Sequence, residues 1–305
     1  MSSAAARTNP ENAGAGAGAR APGPPPALGL VERIRQMLKP CENPACTSRR
    51  ALWGLWRRAA DGIRLQGRWY CSPECFETIA CAEFQRLCSA PDAGRKKVHR
   101  MPIGLLMLSR GVITDQQLKQ ALALQKEKGN GKLGKFLQEI GAVTESEVAA
   151  GLAAQWGCPV FPLGDAPGFP QVATLLPITL LETGRMLPVH LLSVQQTLYL
   201  AFVEGIDRNA LYAVEQMLRL RTVPCIVSES AYREAIEELA QIGDSQSTVF
   251  ESRFDAREMA RTTRSYVLRV GAYDAWMART SRFVWVRLQT LEGPKDILFR
   301  AFAED

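Results

Sequence analysis

Four of the eight cysteines in this 305-residue chain are spaced for metal chemistry. CENPAC gives Cys41-x4-Cys46 and WYCSPEC gives Cys71-x3-Cys75, with 24 residues between the two pairs. A zinc ion takes four ligands in a tetrahedron, and a close pair bends the backbone so that both of its sulfurs face one ion. Four thiolates close that shell, so the chemistry expected is structural, with no open position for substrate. The alternative is that these cysteines fill a small apolar core. Cys81 and Cys88 follow in the same region; they could stand in as ligands but read as buried helix positions. His99 and His190 are the only histidines, and neither sits in a base–nucleophile motif. Cys158 and Cys225 have no histidine paired with them in sequence reach. An enzyme is not expected.

The elements that must hold the four sulfurs can be read locally. IRLQGRWY has the look of a hairpin entering the second pair. Ser72-Pro73-Glu74 starts a helix, with Cys75 in its first turn. A knuckle, a hairpin and a ligand at a helix start resemble the plan of treble-clef zinc fingers. We assign residues 30–92 to a zinc module that opens with an amphipathic helix over Leu30–Lys39. Arg49, Arg50, Arg57 and Arg58 flank Trp53 and Trp56. This patch could stack on bases, or the tryptophans could pack a small core under solvated arginines. A net charge of +6 favours the second reading, and nucleic acid is not an expected partner. Residues 1–29, nearly all Ala, Gly and Pro, read as disordered.

A second pattern is a repeat. PIGLLMLSRGVITDQQLKQALALQ (102–125) returns as KLGKFLQEIGAVTESEVAAGLAAQ (132–155). Gly104 matches Gly134, Gly111 matches Gly141, Thr114 matches Thr144, Leu122 matches Leu152 and Gln125 matches Gln155. Each copy reads as a short helix, a glycine stop, and a longer helix begun by a capping box, Thr114-x-x-Gln117 or Thr144-x-x-Glu147. Neither copy can bury its apolar face alone, so two helix-turn-helix units should pack together.

With WGCPVFPL, the run LLPITLLETGRMLPVHLLSVQQTLYLAF and the stretch from Ile206 to Ala240, the repeat resembles the N-terminal domain of type II secretion and type IV pilus assembly ATPases. It is most similar to the MshE-type subtype, which binds cyclic di-GMP on two tandem 24-residue motifs. The resemblance covers about 101–240. It implies a ligand lying across the motifs, held by a position-one arginine, by leucines and by the closing glutamine. Carried onto this chain, the implied ligand residues are Lys132, Leu133, Gly134, Gln155, Ile103, Gly104, Gln125 and, two residues upstream of the first motif, Arg100. Position one is Pro102 in the first copy and Lys132 in the second. A lysine is a point charge without the arginine's planar fork. Gly134 would let backbone approach the ligand closely. The same glycines and leucines also serve plain helix packing.

Residues 101–242 are therefore expected to form one domain: the repeat followed by a small α/β body over 156–242. That body has strands at 185–190, 197–202 and 223–227 and helices capped by Asp207 and Ser230. Gly129–Lys135 fits a phosphate-loop spacing, but Phe136 stands where Ser or Thr must hold magnesium, and a helix precedes it. A hinge at 243–248 leads to a C-terminal domain, 249–305, expected as a helix at FDAREMA and an antiparallel sheet of SYVLRV, RFVWVRL and DILFRAF. Arg264, Arg269, Arg282, Arg287 and Arg300 are expected on solvated strand positions. No apolar run approaches the roughly 20 residues of a membrane span, and no secretory signal is evident, so a cytoplasmic location is expected. The fold class is α+β, multi-domain. The function expected is a non-catalytic adaptor that docks a protein of a secretion or pilus machinery and senses a cyclic dinucleotide, with zinc as structural cofactor. The alternatives are an enzyme of another class, or a nucleic-acid regulator acting through the zinc module.

Overall fold

The computed structural model describes residues 41–47, 62–90, 100–164, 169–242 and 247–302. The N-terminal tail, the helix over Leu30–Lys39, the Arg/Trp patch, and His99 lie outside the described residues. The chain is a mixed α+β protein. A hairpin of β1 (Ile63–Leu65) and β2 (Arg68–Tyr70) precedes α1 (Pro73–Ser89). The repeat supplies α2 (Ile103–Ser109), α3 (Asp115–Lys128), α4 (Leu133–Glu139) and α5 (Glu145–Trp156). The body follows as α6 (Phe169–Ala173), α7 (Ile178–Gly184), β3 (Met186–Leu192), β4 (Thr197–Phe202), α8 (Arg208–Leu218), β5 (Arg221–Ile226) and α9 (Glu229–Ile242). The C-terminal part is β6 (Ser247–Phe250), α10 (Ala256–Val270), β7 (Asp274–Arg279), β8 (Phe283–Thr290) and β9 (Gly293–Arg300). No helix among the described residues is long and apolar enough to cross a membrane.

The repeat is built as its punctuation implies. Thr114 accepts from the Gln117 amide at 3.2 Å while the Gln117 side chain accepts from the Thr114 amide at 2.8 Å. Thr144 and Glu147 repeat the arrangement at 3.3 and 2.7 Å. Gly111 and Gly141 take φ of +72° and +68°, the left-handed turn that ends each short helix. The next amides then bond back to equivalent carbonyls, Val112 to Met107 and Ala142 to Leu137. Met107, Ile113, Leu118, Ala121, Phe136, Leu137 and Val143 form the repeat's own core. Ala149 and Ala153 of α5 point the other way, into the core of the body.

The body's sheet has the order β3-β4-β5, antiparallel then parallel. Its last helix begins at Glu229, not with Ser230 as cap: the Ser228 hydroxyl accepts from the Ala231 amide at 3.4 Å. Ser230 is freed for a contact with the repeat described below.

The C-terminal part departs from expectation in three ways. SYVLRV is the second half of α10, not a strand. Its β-branched and aromatic composition is overridden by a capping box at Asp255 and Glu258 and by burial of Met259, Ala260, Thr263 and Val267, a helical stripe. Ser247 and Thr248, placed in a hinge, belong to strand β6, and β7 was not foreseen. Most consequentially, the sheet is not a separate antiparallel one. Its order is β2-β1-β7-β8-β9-β6, with β1 parallel to β7 and β6 parallel to β9. The cysteine hairpin is thus the edge of the C-terminal sheet, so the segments assigned to separate modules, 30–92 and 249–305, share one layer. A pairing such as Arg64 with Asp274 leaves no local signal in sequence.

Strand β8 is buried on both faces. Val284, Val286 and Leu288 face the core under α1 and α10, while Phe283 and Trp285 face the core of the body. Near-continuous hydrophobicity in RFVWVRL follows from that two-sided burial. Arg287 is not a solvated outward arginine. It is 4% exposed and grips Asp296 with two bonds of 2.8 and 2.7 Å, with a third, of 2.8 Å, to the Leu175 carbonyl. Arg264 and Arg269 lie on a helix.

Candidate metal centre and repeat cleft

The cysteine cluster assembles from two short local structures. Cys41 to Cys46 form a tight turn in which the Cys46 amide bonds to the Asn43 carbonyl at 3.1 Å and the Asn43 side chain accepts from Ala45 at 2.9 Å. The Glu42 amide ties that turn to the Trp69 carbonyl of β2 at 3.1 Å. On the other side, Ser72 caps α1 by accepting from the Cys75 amide at 3.3 Å, with Pro73 at the first helical position. Cys71 and Cys75 therefore sit at a helix start, as the spacing implied.

The four sulfurs all lie within 4.8 Å of one another. Cys46 Sγ and Cys71 Sγ are 3.5 Å apart, and Cys71 Sγ and Cys75 Sγ are 3.9 Å apart. A tetrahedron with Zn–S bonds of about 2.3 Å has sulfur–sulfur edges of about 3.8 Å. The Cys71 amide also donates to Cys41 Sγ at 3.5 Å, a bond that supports a negatively charged sulfur. Burial, then contact with Cys46 and Cys41, pushes the Cys71 thiol far above its usual range. Burial also raises Cys75, against a hydrogen bond from Asn43 that lowers it. Crowded buried thiols resist ionisation unless a cation sits among them, and the donor set fits one soft divalent ion. Cys81 and Cys88 are half-buried against the core and do not join the group.

In the repeat, the implied ligand residues fall into two kinds. Gly104, Leu133 and Gly134 are packing residues. A Cβ on Gly104 would come within 2.7 Å of both Leu118 and Leu133, and one on Gly134 within 2.8 Å of Val148. Gly134 is buried against α5, where its missing Cβ lets two helices approach. Ile103 packs half-buried beside the same core.

The polar residues behave differently. Gln125 ends the first motif and donates to the Gly131 carbonyl, just before the second motif, at 2.9 Å. Gln155 ends the second motif and donates to the Met101 carbonyl, just before the first, at 2.8 Å. The closure is reciprocal: each copy's last residue holds the backbone that leads into the other copy. Lys132, exposed at the start of α4, forms an ion pair with Glu204, which follows β4. Arg100 lies over Trp156, its guanidinium carbon 3.5 Å from the ring centre. Burial, and then the neighbouring Arg208, lower its pKa.

Two residues that join repeat to body carried no signal in sequence. Glu145, in the first turn of α5, accepts from the Ser230 amide at 2.6 Å and from its hydroxyl at 2.7 Å. Glu204 is a lone acid after a strand and became visible only through its partners.

No family model matches the chain. It is 28% identical over 134 residues to the type IV pilus assembly ATPase PilB of Thermus thermophilus, covering 44% of this chain and 15% of that protein. It is 29% identical over 140 residues to PilB of Myxococcus xanthus, covering 44% and 23%. The chain thus spans less than a quarter of the length of these curated relatives. Among solved structures, one of MshE with cdg aligns with a TM-score of 0.40 at 27% identity, over 46% of this chain and 99% of that one. The N-terminal domain of XpsE aligns with a TM-score of 0.33 at 27% identity, over 45% and 92%. The resemblance read from the repeat is met: under half of this chain is similar to type IV pilus assembly ATPases.

Proposed function

We propose that this chain is a non-catalytic adaptor: a zinc-braced scaffold that carries a repeat domain for docking a partner of secretion or pilus machinery and for sensing a cyclic dinucleotide. The observation that carries the reading is the reciprocal closure of the two motifs by Gln125 and Gln155. It sets position one of each motif beside the closing residue of the other, so each half-site draws on both copies. A pair of half-sites related in this way suits a ligand that is itself two-fold symmetric, such as cyclic di-GMP. Similarity to pilus ATPases over 44% of the chain supports the same reading. Lys132 supplies charge for phosphate. The exposed Met101, Leu105 and Leu122 supply apolar surface for a base or a partner.

Two features favour binding over catalysis. The Gly129–Lys135 stretch is the short turn between helices α3 and α4 and the first residues of α4, and Phe136 is buried at the position where a phosphate loop needs its hydroxyl. His190 lies on β3 with its ring 6.0 Å from that of Tyr199 and is not among the four clustered metal-type ligands. Zinc held by Cys41, Cys46, Cys71 and Cys75 would fasten the hairpin to α1 and so secure the edge of the six-stranded sheet. Arg264 adds ion pairs of 2.8 Å from α10 to Glu74 and Glu77 of α1.

Calorimetric titration of cyclic di-GMP, with elemental analysis of the same sample, tests both halves. The expected results are saturable heat, weakened by Lys132→Ala, and about one zinc per chain, lost in Cys71→Ser. Metal-free protein with an intact near-UV spectrum would contradict the zinc site. Unchanged affinity in Lys132→Ala would contradict the phosphate role.

A further inference from the structure

Glu204 stands between two cations that belong to different parts of the fold. On one side it pairs with Lys132 of the repeat. On the other, its Oε1 lies 3.6 Å from Nε of Arg185, the residue that links α7 to β3. That distance is too long for a hydrogen bond. Arg185 Nε is itself buried and has no hydrogen-bond partner. The rest of the guanidinium is held in place: it pairs with Glu229, at the start of α9, and lies over the Tyr232 ring at 5.5 Å. Glu229 in turn takes Arg233 at 3.4 Å. Next to Glu229, Ser230 receives Glu145 of α5. A line of alternating charges therefore runs along the seam between repeat and body, and Glu204 is its one member with an unmet bond within reach.

We propose that Glu204 is a two-position latch on the proposed anion site. In the position seen here it neutralises Lys132 and ties the second motif to the body. A phosphate arriving at Lys132 competes for the same ammonium group. A shift of under about 1 Å then brings the displaced carboxylate within hydrogen-bond range of Arg185 Nε. Anion binding and the repeat–body ion pair thus exclude one another, and ligand loosens the tie from Lys132 to Glu204 while the tie from Glu145 to Ser230 remains. The inference rests on the anion-binding reading of Lys132 given above and adds its regulation.

The charge of Glu204 is what opposes the ligand, so Glu204→Gln, nearly the same shape, is the informative variant. Lys132 and Glu204 are both solvent-exposed, at 65% and 39%. An exposed pair sets a modest opposition, and the gain expected on removing it is about two- to fivefold in affinity. Wild type and Glu204→Gln would be titrated by calorimetry with cyclic di-GMP and, separately, with inorganic pyrophosphate. Tighter binding of both probes by the variant supports the latch and the dinucleotide site together. A gain seen with pyrophosphate alone, with no heat from cyclic di-GMP, supports the latch and overturns the dinucleotide reading. Binding by wild type that is unchanged or weaker in the variant overturns the latch and leaves the site standing. No binding of either probe by either protein overturns both.

Discussion

The two copies of the repeat share their caps and turns and differ in what surrounds them. Both have a left-handed glycine stop, a reciprocal threonine cap and a closing glutamine on the backbone that leads into the opposite copy. Their surroundings differ. The second copy places a lysine at position one, tied to Glu204, and sinks α5 into the body through Ala149 and Ala153. The first copy places Pro102 there and leaves Leu105 and Leu122 50% and 46% exposed. At the position of Leu105 the second copy has Lys135. The second half therefore docks inward and carries charge, and the first presents apolar surface outward.

The glycines at position three separate fold from ligand most sharply. Gly134→Ala would force a Cβ against Val148, whose branched side chain has little freedom to yield. Overpacking of this kind costs about 1–3 kcal/mol, against about 1 kcal/mol gained in helix propensity. A net loss in denaturant midpoint is expected. Gly104→Ala would meet only leucine methyl tips, which can rotate away, and should cost less. Equal losses would mean the copies pack alike. A Gly134→Ala protein of wild-type stability that had lost ligand affinity would restore the ligand-contact role.

A smaller difference lies in the caps. The Glu147 carboxyl is held below its usual pKa by the Thr144 amide and hydroxyl, whereas its counterpart Gln117 does not titrate. A carboxylate with a lowered folded pKa stabilises the protein above its unfolded pKa, near 4.3, and that contribution is lost as pH falls through the folded value. Only the second copy should carry this acid sensitivity. Glu147→Gln should flatten the acid limb of a pH–melting curve while leaving neutral pH nearly unchanged. An unaltered limb would place the titration elsewhere.

Short-range signals were legible in sequence because their physics is short-range. A cap spans three residues and a cysteine pair four or five, so the capping boxes, the glycine stops and the start of α1 at Ser72 could be read directly. Strand composition misled at SYVLRV because Tyr266 and Val267 suit either state until their period against Met259 and Thr263 is weighed. Long-range pairing could not be read at all. Nothing in IRL marks it as a neighbour of DAWMAR more than 200 residues later, yet that contact joins the cysteine hairpin to the C-terminal sheet. The candidate site divides in the same way. The four sulfurs and the two glutamines were visible as spacing, but Glu204, Arg185 and Ser230 meet the repeat only through tertiary folding.

Position one of the first motif is a proline, where the second has a cation. Pro102 caps α2 with φ of −54° and an exposed side chain, so an arginine there disturbs no packing. The decisive measurement is a calorimetric titration of cyclic di-GMP into Pro102→Arg beside wild type. Two half-sites closed by Gln125 and Gln155, one of them lacking its cation, should gain affinity when a forked cation is supplied, by about tenfold for one charge-assisted contact of roughly 1.5 kcal/mol. No heat from either protein would contradict a dinucleotide site on this repeat and leave it a protein-docking surface alone.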